Sequence, residues 1–229
     1  MTFKPFVFAG IEMQAFADGA LFVPEWSTLV VADMHLEKAS NFAGRGSLLP
    51  PYDSRATLQR LALCIDRLRP ERVICLGDSF HDGGGPNRME PEDLGRLRRL
   101  TDGRDWVWIA GNHDPMDTGF AGGRIAPHTE VRTLVFRHEA ETDTAPGEVS
   151  GHFHPKASIT VRGRRVSGRC FVMDGRRLIL PSFGAFTGGL DVLHPAVRDL
   201  MDPLFQIHLI GRDRVHSVNS AMLDQPRQR

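Results

Sequence analysis

The apolar run Leu29-Val30-Val31-Ala32 ends in Asp33-Met34-His35, so a short buried segment delivers a carboxylate and an imidazole two residues apart. Neither group belongs in an apolar core unless something satisfies it. Together they form a donor pair suited to a first-row metal. One such pair proves little, but the chain repeats the device. Val73-Ile74-Cys75-Leu76 releases Gly77-Asp78-Ser79-Phe80-His81, and Trp106-Val107-Trp108-Ile109-Ala110 releases Gly111-Asn112-His113-Asp114. His138 follows the run at residues 131–137, and Gly151-His152-Phe153-His154-Pro155 supplies two more imidazoles. These oxygen and nitrogen donors suffice for two divalent ions. Held roughly 3.5–4 Å apart, such a pair clamps a phosphoryl group and activates water for in-line attack. Asp78 is the candidate to be shared between both ions. The mixed set suits Mn2+, Fe or Zn2+ and not a thiolate-bound metal.

The donors need elements that bring strand ends together. Residues 3–15 and 19–23, separated by Asp18-Gly19, predict an opening hairpin. Residues 37–52 contain Gly44, Gly46, Pro50 and Pro51 and read as a loop bordering the site. Asp53 or Ser54 can cap a helix with the apolar face Leu58, Leu61, Ala62, Ile65 and Leu68, which Pro70 ends. Gly83-Gly84-Gly85-Pro86 reads as loop, and a second helix covers residues 92–100. Alternating strands and helices predict a largely parallel, helix-covered sheet, whose ligands collect beyond the carboxyl ends of the strands. From residue 131 the pattern becomes strand-rich, with strands at 157–161, 168–174 and 177–181 and a closing hairpin at 204–210 and 214–218. That predicts a second sheet packed on the first. Residues 224–229 are expected to fray.

The 229 residues, 41% hydrophobic and 24% charged, fit one globular domain. Lys plus Arg equals Asp plus Glu at 28, so net charge does not announce a polyanionic partner, though a local basic groove stays open. Arg162, Arg164, Arg165, Arg169, Arg176 and Arg177 are the densest basic group, either a phosphate-contacting surface or a solvated hairpin face. Three scattered cysteines without a C-x-x-C argue for a reducing cytoplasm. There is no signal-peptide pattern and no stretch of roughly 20 apolar residues, so no membrane is expected.

In order, Asp33-x-His35, Gly77-Asp78-x-x-His81, Gly111-Asn112-His113-Asp114, His138 and Gly151-His152-x-His154 resemble the motif blocks of calcineurin-like metallophosphoesterases. The resemblance implies an α/β fold, a four-layer α/β/β/α sandwich of the metallo-dependent phosphatase type, as a single domain over residues 1–229. It implies two ions, foremost Mn2+, and hydrolysis by a metal-bridging hydroxide with no covalent phospho-enzyme. Asp33, His35, Asp78 and His154 correspond to the ligands of one ion, and Asp78, Asn112, His138 and His152 to those of the other. His113 corresponds to the histidine that steadies phosphoryl oxygens or protonates the leaving group, and Asp114 to the carboxylate that orients it. His81 is expected beside the metals or against substrate. Leu36-Glu37-Lys38-Ala39, the Phe42, Gly46 and Pro50 loop, Gly151 to Pro155 and the stretch 180–189 are similar to the bacterial ligase-associated DNA-damage-response group (PdeM-type). Its members are described as phosphodiesterases and endonucleases, encoded beside a DNA ligase and a helicase. Glu37 stands where many members carry glycine.

Beyond the metals, the stretch from Ser182 to Gly189 is expected to wall the cleft. Gly184 could present its N–H to an anion, and Phe183 and Phe186 could stack on a base or simply pack a tight loop. Arg45, in the loop after His35, could reach phosphate. The leading expectation is diester hydrolysis on DNA or RNA in repair. A small cyclic or dinucleotide diester and a phosphomonoester are the enzymatic alternatives, since one metal centre serves all three. A non-catalytic scaffold is disfavoured by the complete donor set. A homodimer through the strand-rich half stays open.

Overall fold

The computed structural model describes residues 2–44, 46, 52–114 and 121–224. Strands β1 (Phe3–Phe8), β2 (Ile11–Phe16), β3 (Leu21–Val23), β4 (Thr28–Val31), β5 (Arg72–Leu76), β6 (Asp105–Ile109) and β7 (Arg124–Ala126) form one sheet in that spatial order. From β1 to β4 the pairs are antiparallel; from β4 to β7 they are parallel. Helices α1 (Lys38–Gly44) and α2 (Asp53–Leu68) connect β4 to β5, and α3 (Gly85–Arg88) and α4 (Pro91–Thr101) connect β5 to β6. The remaining strands are β8 (His128–Val131), β9 (Leu134–Arg137), β10 (Glu148–Ser150), β11 (Lys156–Val161), β12 (Arg164–Met173), β13 (Arg177–Ile179), β14 (Gln206–Ile210) and β15 (Val215–Asn219). They form the second sheet in the order β15-β14-β12-β13-β10-β9-β8, with β11 hairpinned onto β12. A one-turn helix α5 (Pro195–Arg198) lies between β13 and β14.

Period-two alternation sorts the side chains into layers. On β4, β5 and β6, Leu29, Val31, Val73, Cys75, Trp106 and Trp108 pack under α2 and α4 against Leu58, Leu61, Leu97 and Leu100. Their neighbours Val30, Ile74, Leu76, Val107 and Ile109 face the second sheet and meet Leu134, Phe136, Val149, Phe171 and Leu178. The far face of that sheet packs Cys170, Val172, Ile179 and Ile207 beneath Val192, Val197, Met201 and Phe205. The result is the expected α/β/β/α sandwich, two sheets flanked by helices. All three cysteines are free and buried. Among the described residues no helix is long and apolar enough to cross a membrane.

Several local expectations are corrected. The opening hairpin is a three-stranded meander, because a second turn falls at Ala9-Gly10, both with positive φ. The stretch after His35 contains α1, and Gly85–Arg88 is helical rather than loop. Pro50, Pro51 and residues 225–229 lie outside the described residues. Tyr52, not Asp53 or Ser54, is the N-cap of α2. The Asp53 carboxylate instead accepts from the Ala39 N–H (2.9 Å), and Ser54 accepts from the Glu37 N–H (2.7 Å) while donating to the Glu37 carboxylate (2.8 Å). Helix α1 is thus started by side chains from another helix, which sequence periodicity does not show.

His208 on β14 is buried between Phe6, with ring centroids 4.6 Å apart, and Ser217, whose Oγ lies 3.0 Å from Nδ1; Nε2 has no partner. Burial, assisted by Lys4, drives its pKa from 6.5 to about 4. The unfolded chain therefore binds an extra proton between these values, so stability falls as pH drops from 6.5 towards 4 and is retained above 6.5. His208→Gln is expected to remove up to about 3 kcal/mol of that acid-side loss, read from urea midpoints across the same pH range.

Candidate metal centre

The site lies where the carboxyl ends of β4, β5 and β6 meet the ends of β9 and β10. Asp33 and His35 follow β4, Asp78 follows β5, His113 follows β6, and His138 and His152 follow β9 and β10. Two clusters of donors form: Asp33, His35 and His154, and Asp78, His138 and His152. Within the first, the Nε2 atoms of His35 and His154 are 3.2 Å apart, and His154 Nε2 is 3.4 Å from Asp33 Oδ1. Within the second, His152 Nδ1 is 3.0 Å from His138 Nε2, which is 3.5 Å from Asp78 Oδ1. The other Asp78 oxygen, Oδ2, is 4.0 Å from His35 Nε2. Asp78 therefore turns one oxygen towards each cluster. Six of the seven expected ligands converge. Asn112 lies exposed in the loop beside His113.

The convergence is made by backbone. Twelve described non-glycine residues have positive φ, and Asp33, His35, Asp78, His152 and His154 are among them, between 44° and 69°. That region is uncommon for side-chain-bearing residues and persists where the surroundings overdetermine it. Here the strand ends bond crosswise: Asp33 N–H to Gly77 O (3.2 Å), His35 N–H to Asp78 O (2.9 Å) and Gly151 N–H to His138 O (2.9 Å). The His152 N–H donates to both Asp33 carboxylate oxygens (3.2 and 3.0 Å), and the His113 N–H to Asp78 Oδ1 (3.1 Å). Glycine permits the approach. A Cβ on Gly111 would lie 2.2 Å from the Asp78 nitrogen, and one on Gly151 2.6 Å from Asp33 Oδ2.

Protonation fits the same purpose. Burial first, then the neighbouring His154 and Lys38, pushes His35 down to about 2, so its ring offers a neutral lone pair at neutral pH. His152 is also lowered, by burial first and then by His138. The Nδ1 of His138 lies 2.9 Å from the Leu76 carbonyl, which holds the proton there and leaves Nε2 free to ligate. Carboxylate oxygens and imidazole nitrogens in two adjoining groups suit two divalent cations, and the arrangement indicates a binuclear metal site.

The other expected residues are placed unevenly. His113 is exposed, with Nε2 4.0 Å from Asp78 Oδ2. His81 stacks on its ring, with centroids 5.9 Å apart and planes 11° from parallel. The Asp114 carboxylate accepts from the Phe80 and Gly111 N–H groups (both 3.0 Å) and ties the β5 and β6 loops together. Burial pushes its pKa up to about 6. Phe183 is a correction, since it is fully buried in the core beneath the Arg60 guanidinium, 4.5 Å above its ring, and has no surface to offer a base. Gly184 is another, since its N–H donates to the Asp33 carbonyl (3.1 Å) and is not free for an anion. Phe186 is 52% exposed and keeps a face for substrate. Arg45 lies outside the described residues. The arginine group divides: Arg177 is buried beside Glu148 (3.9 Å) and Arg169 binds the Ser182 carbonyl, while Arg162, Arg164, Arg165 and Arg176 are exposed, with Arg165 donating to Ser158 (2.9 Å). Sequence reasoning gave no chemical role to Lys38, whose half-buried ammonium donates to the Phe186 carbonyl (3.1 Å), or to Glu139, 3.6 Å from His152. Neither follows a strand in a ligand pattern.

Residues 27–205 match the family model described as calcineurin-like phosphoesterase. The crystal structure of Pseudomonas putida nuclease MPE is similar over 95% of this chain and 100% of its own, at 28% identity and a TM-score of 0.71. Yfce, a phosphoesterase from E. coli, aligns over 85% of this chain and 98% of its own, at 15% identity and a TM-score of 0.42. No curated protein matches the chain.

Because the Gly111 contact is steric, Gly111→Ala is expected to weaken Mn2+ uptake about tenfold or more. Gly83→Ala, which meets nothing within 4 Å, should leave uptake unchanged. Isothermal titration of both variants with Mn2+ makes the comparison.

Proposed function

The chain belongs to the calcineurin-like phosphoesterase family, and from that premise we propose that it is a two-metal phosphodiesterase acting on nucleic acid, with DNA the leading substrate and RNA the alternative. As a metal-dependent phosphoesterase it needs both donor clusters, and the observation that carries the two-metal reading is Asp78, with one carboxylate oxygen towards each. The nuclease reading is supported by the likeness to the Pseudomonas putida nuclease along nearly the whole chain. It also supports one catalytic domain over residues 1–229. The residues 36–39 and 180–189 favour the ligase-associated DNA-damage-response group, with a DNA ligase and a helicase as functional neighbours.

In this reading Asp33, His35, Asp78 and His154 hold one ion and Asp78, Asn112, His138 and His152 the other, with Mn2+ the preferred metal. Bound there, the ions would polarise the phosphoryl oxygens and activate water as nucleophile. The chain's own groups do the rest. His113, exposed at the mouth and steadied by the His81 ring, is placed to donate a hydrogen bond to the phosphoryl group or a proton to the leaving oxygen. Asp114 keeps the His113 loop in register with Phe80. Lys38 and Phe186 flank the first cluster, giving a cation for a neighbouring phosphate and an apolar face for a base. One observation favours a small cyclic or dinucleotide diester instead. Two of the six grouped arginines are withdrawn from any phosphate track, Arg169 to the Ser182 carbonyl and Arg177 to the interior.

The test is hydrolysis of bis- and mono-nitrophenyl phosphate and of single-stranded and duplex DNA by metal-stripped protein restored with Mn2+. Diester and DNA cleavage, both lost in Asp78→Asn, is the expected result. Diester cleavage without DNA cleavage would leave only the small-molecule reading, and full activity in Asp78→Asn would end the two-metal assignment. Lys38→Met is expected to raise KM for DNA about tenfold with kcat little changed.

A further inference from the structure

The two nitrogens of His152 face different partners. Nδ1 lies 3.0 Å from His138 Nε2, inside the second donor cluster. Nε2 points outward and lies 3.6 Å from Oε1 of Glu139, the residue that directly follows His138. A neutral imidazole carries one proton, and whichever nitrogen keeps it cannot ligate. A carboxylate beside Nε2 stabilises the proton there and leaves the Nδ1 lone pair for the cluster.

His138 solves the same problem with backbone, because its Nδ1 meets the Leu76 carbonyl at 2.9 Å. Among the described residues His152 has no such carbonyl partner. Its ring is set edge-on between His138 and Phe153, at 86° and 87°, contacts that orient the plane but do not choose a tautomer. Glu139 itself lines an open cleft of about 580 Å3 together with Glu141, Thr142 and Phe153. Among the described residues, Glu139 supplies the charged acceptor paired with that nitrogen.

We propose that Glu139 is a positioning residue that fixes the Nε2–H tautomer of His152 and thereby sets the affinity of the second donor cluster for a divalent cation. The inference rests on the two-metal reading. Its role is to act through His152, and it touches no substrate.

The experiment titrates metal-stripped wild-type protein, Glu139→Ala, Glu139→Gln and His152→Ala with Mn2+ by calorimetry; the step lost in His152→Ala identifies the second cluster. Imidazole 15N spectra of the metal-free wild type and Glu139→Ala report the tautomer directly. Glu139 is half exposed, so thermal unfolding should show its variants folded. The expected result is a second step weakened about tenfold or more in Glu139→Ala and less in Glu139→Gln, whose amide oxygen keeps an acceptor dipole beside Nε2. The first step should stay unmoved, and the His152 signals should shift away from the pure Nε2–H form. A Glu139→Ala protein with both steps and the tautomer unchanged would overturn the role of Glu139 while leaving the two-metal reading intact. A wild type that takes up only one equivalent would overturn both.

Discussion

The centre depends on how closely the ends of β4, β5 and β6 approach. Gly111 comes so near Asp78 that a methyl group does not fit, and Gly151 stands in the same relation to Asp33. This contact lets backbone N–H groups from one donor-bearing loop satisfy the carboxylate of another. Buried carboxylates are costly unless so paired. Each loop therefore solvates its neighbour's charge, and the left-handed backbone at five donors is the geometry that closes this circle. Parallel strands whose carboxyl ends lie side by side supply the frame.

Much of this was legible in the chain. Strand-ending donors after Leu29 to Ala32, Val73 to Leu76 and Trp106 to Ala110 announced both the sheet and the centre, because alternation and polarity are local signals. What was not legible came from tertiary hydrogen bonding. Asp53 and Ser54 look like a cap in sequence, yet they serve Glu37 and Ala39 from another helix. Phe183 could be read as a stacking platform or as loop packing, because an aromatic beside a glycine carries no mark of burial, and Arg60 closes over it from 123 residues away in sequence. Arg177 looked like part of a basic surface and is an interior ion-pair partner of Glu148.

The charge distribution around the centre is lopsided. Beside the first cluster lies Lys38, close enough to act on His35; beside the second lies Glu139, while Glu141 pairs with Arg137. A polyanion meets attraction on one flank and repulsion on the other, so the flanks differ in what they can accept even though the two metal clusters are similar. With equal numbers of acidic and basic residues in the chain, this local asymmetry is the electrostatic feature that bears on substrate.

The segment after β13 has a consequence for biosynthesis. All seven expected ligands are made by residue 154, but the Asp33 carbonyl is held by Ser182 Oγ (3.2 Å) and the Gly184 N–H, and the Phe183 N–H binds Ala32 (2.7 Å). A nascent chain ending before residue 182 carries every donor and lacks the clasp that fixes the first of them. Ser182, 149 positions downstream of Asp33, must therefore be made before the first donor gains that clasp.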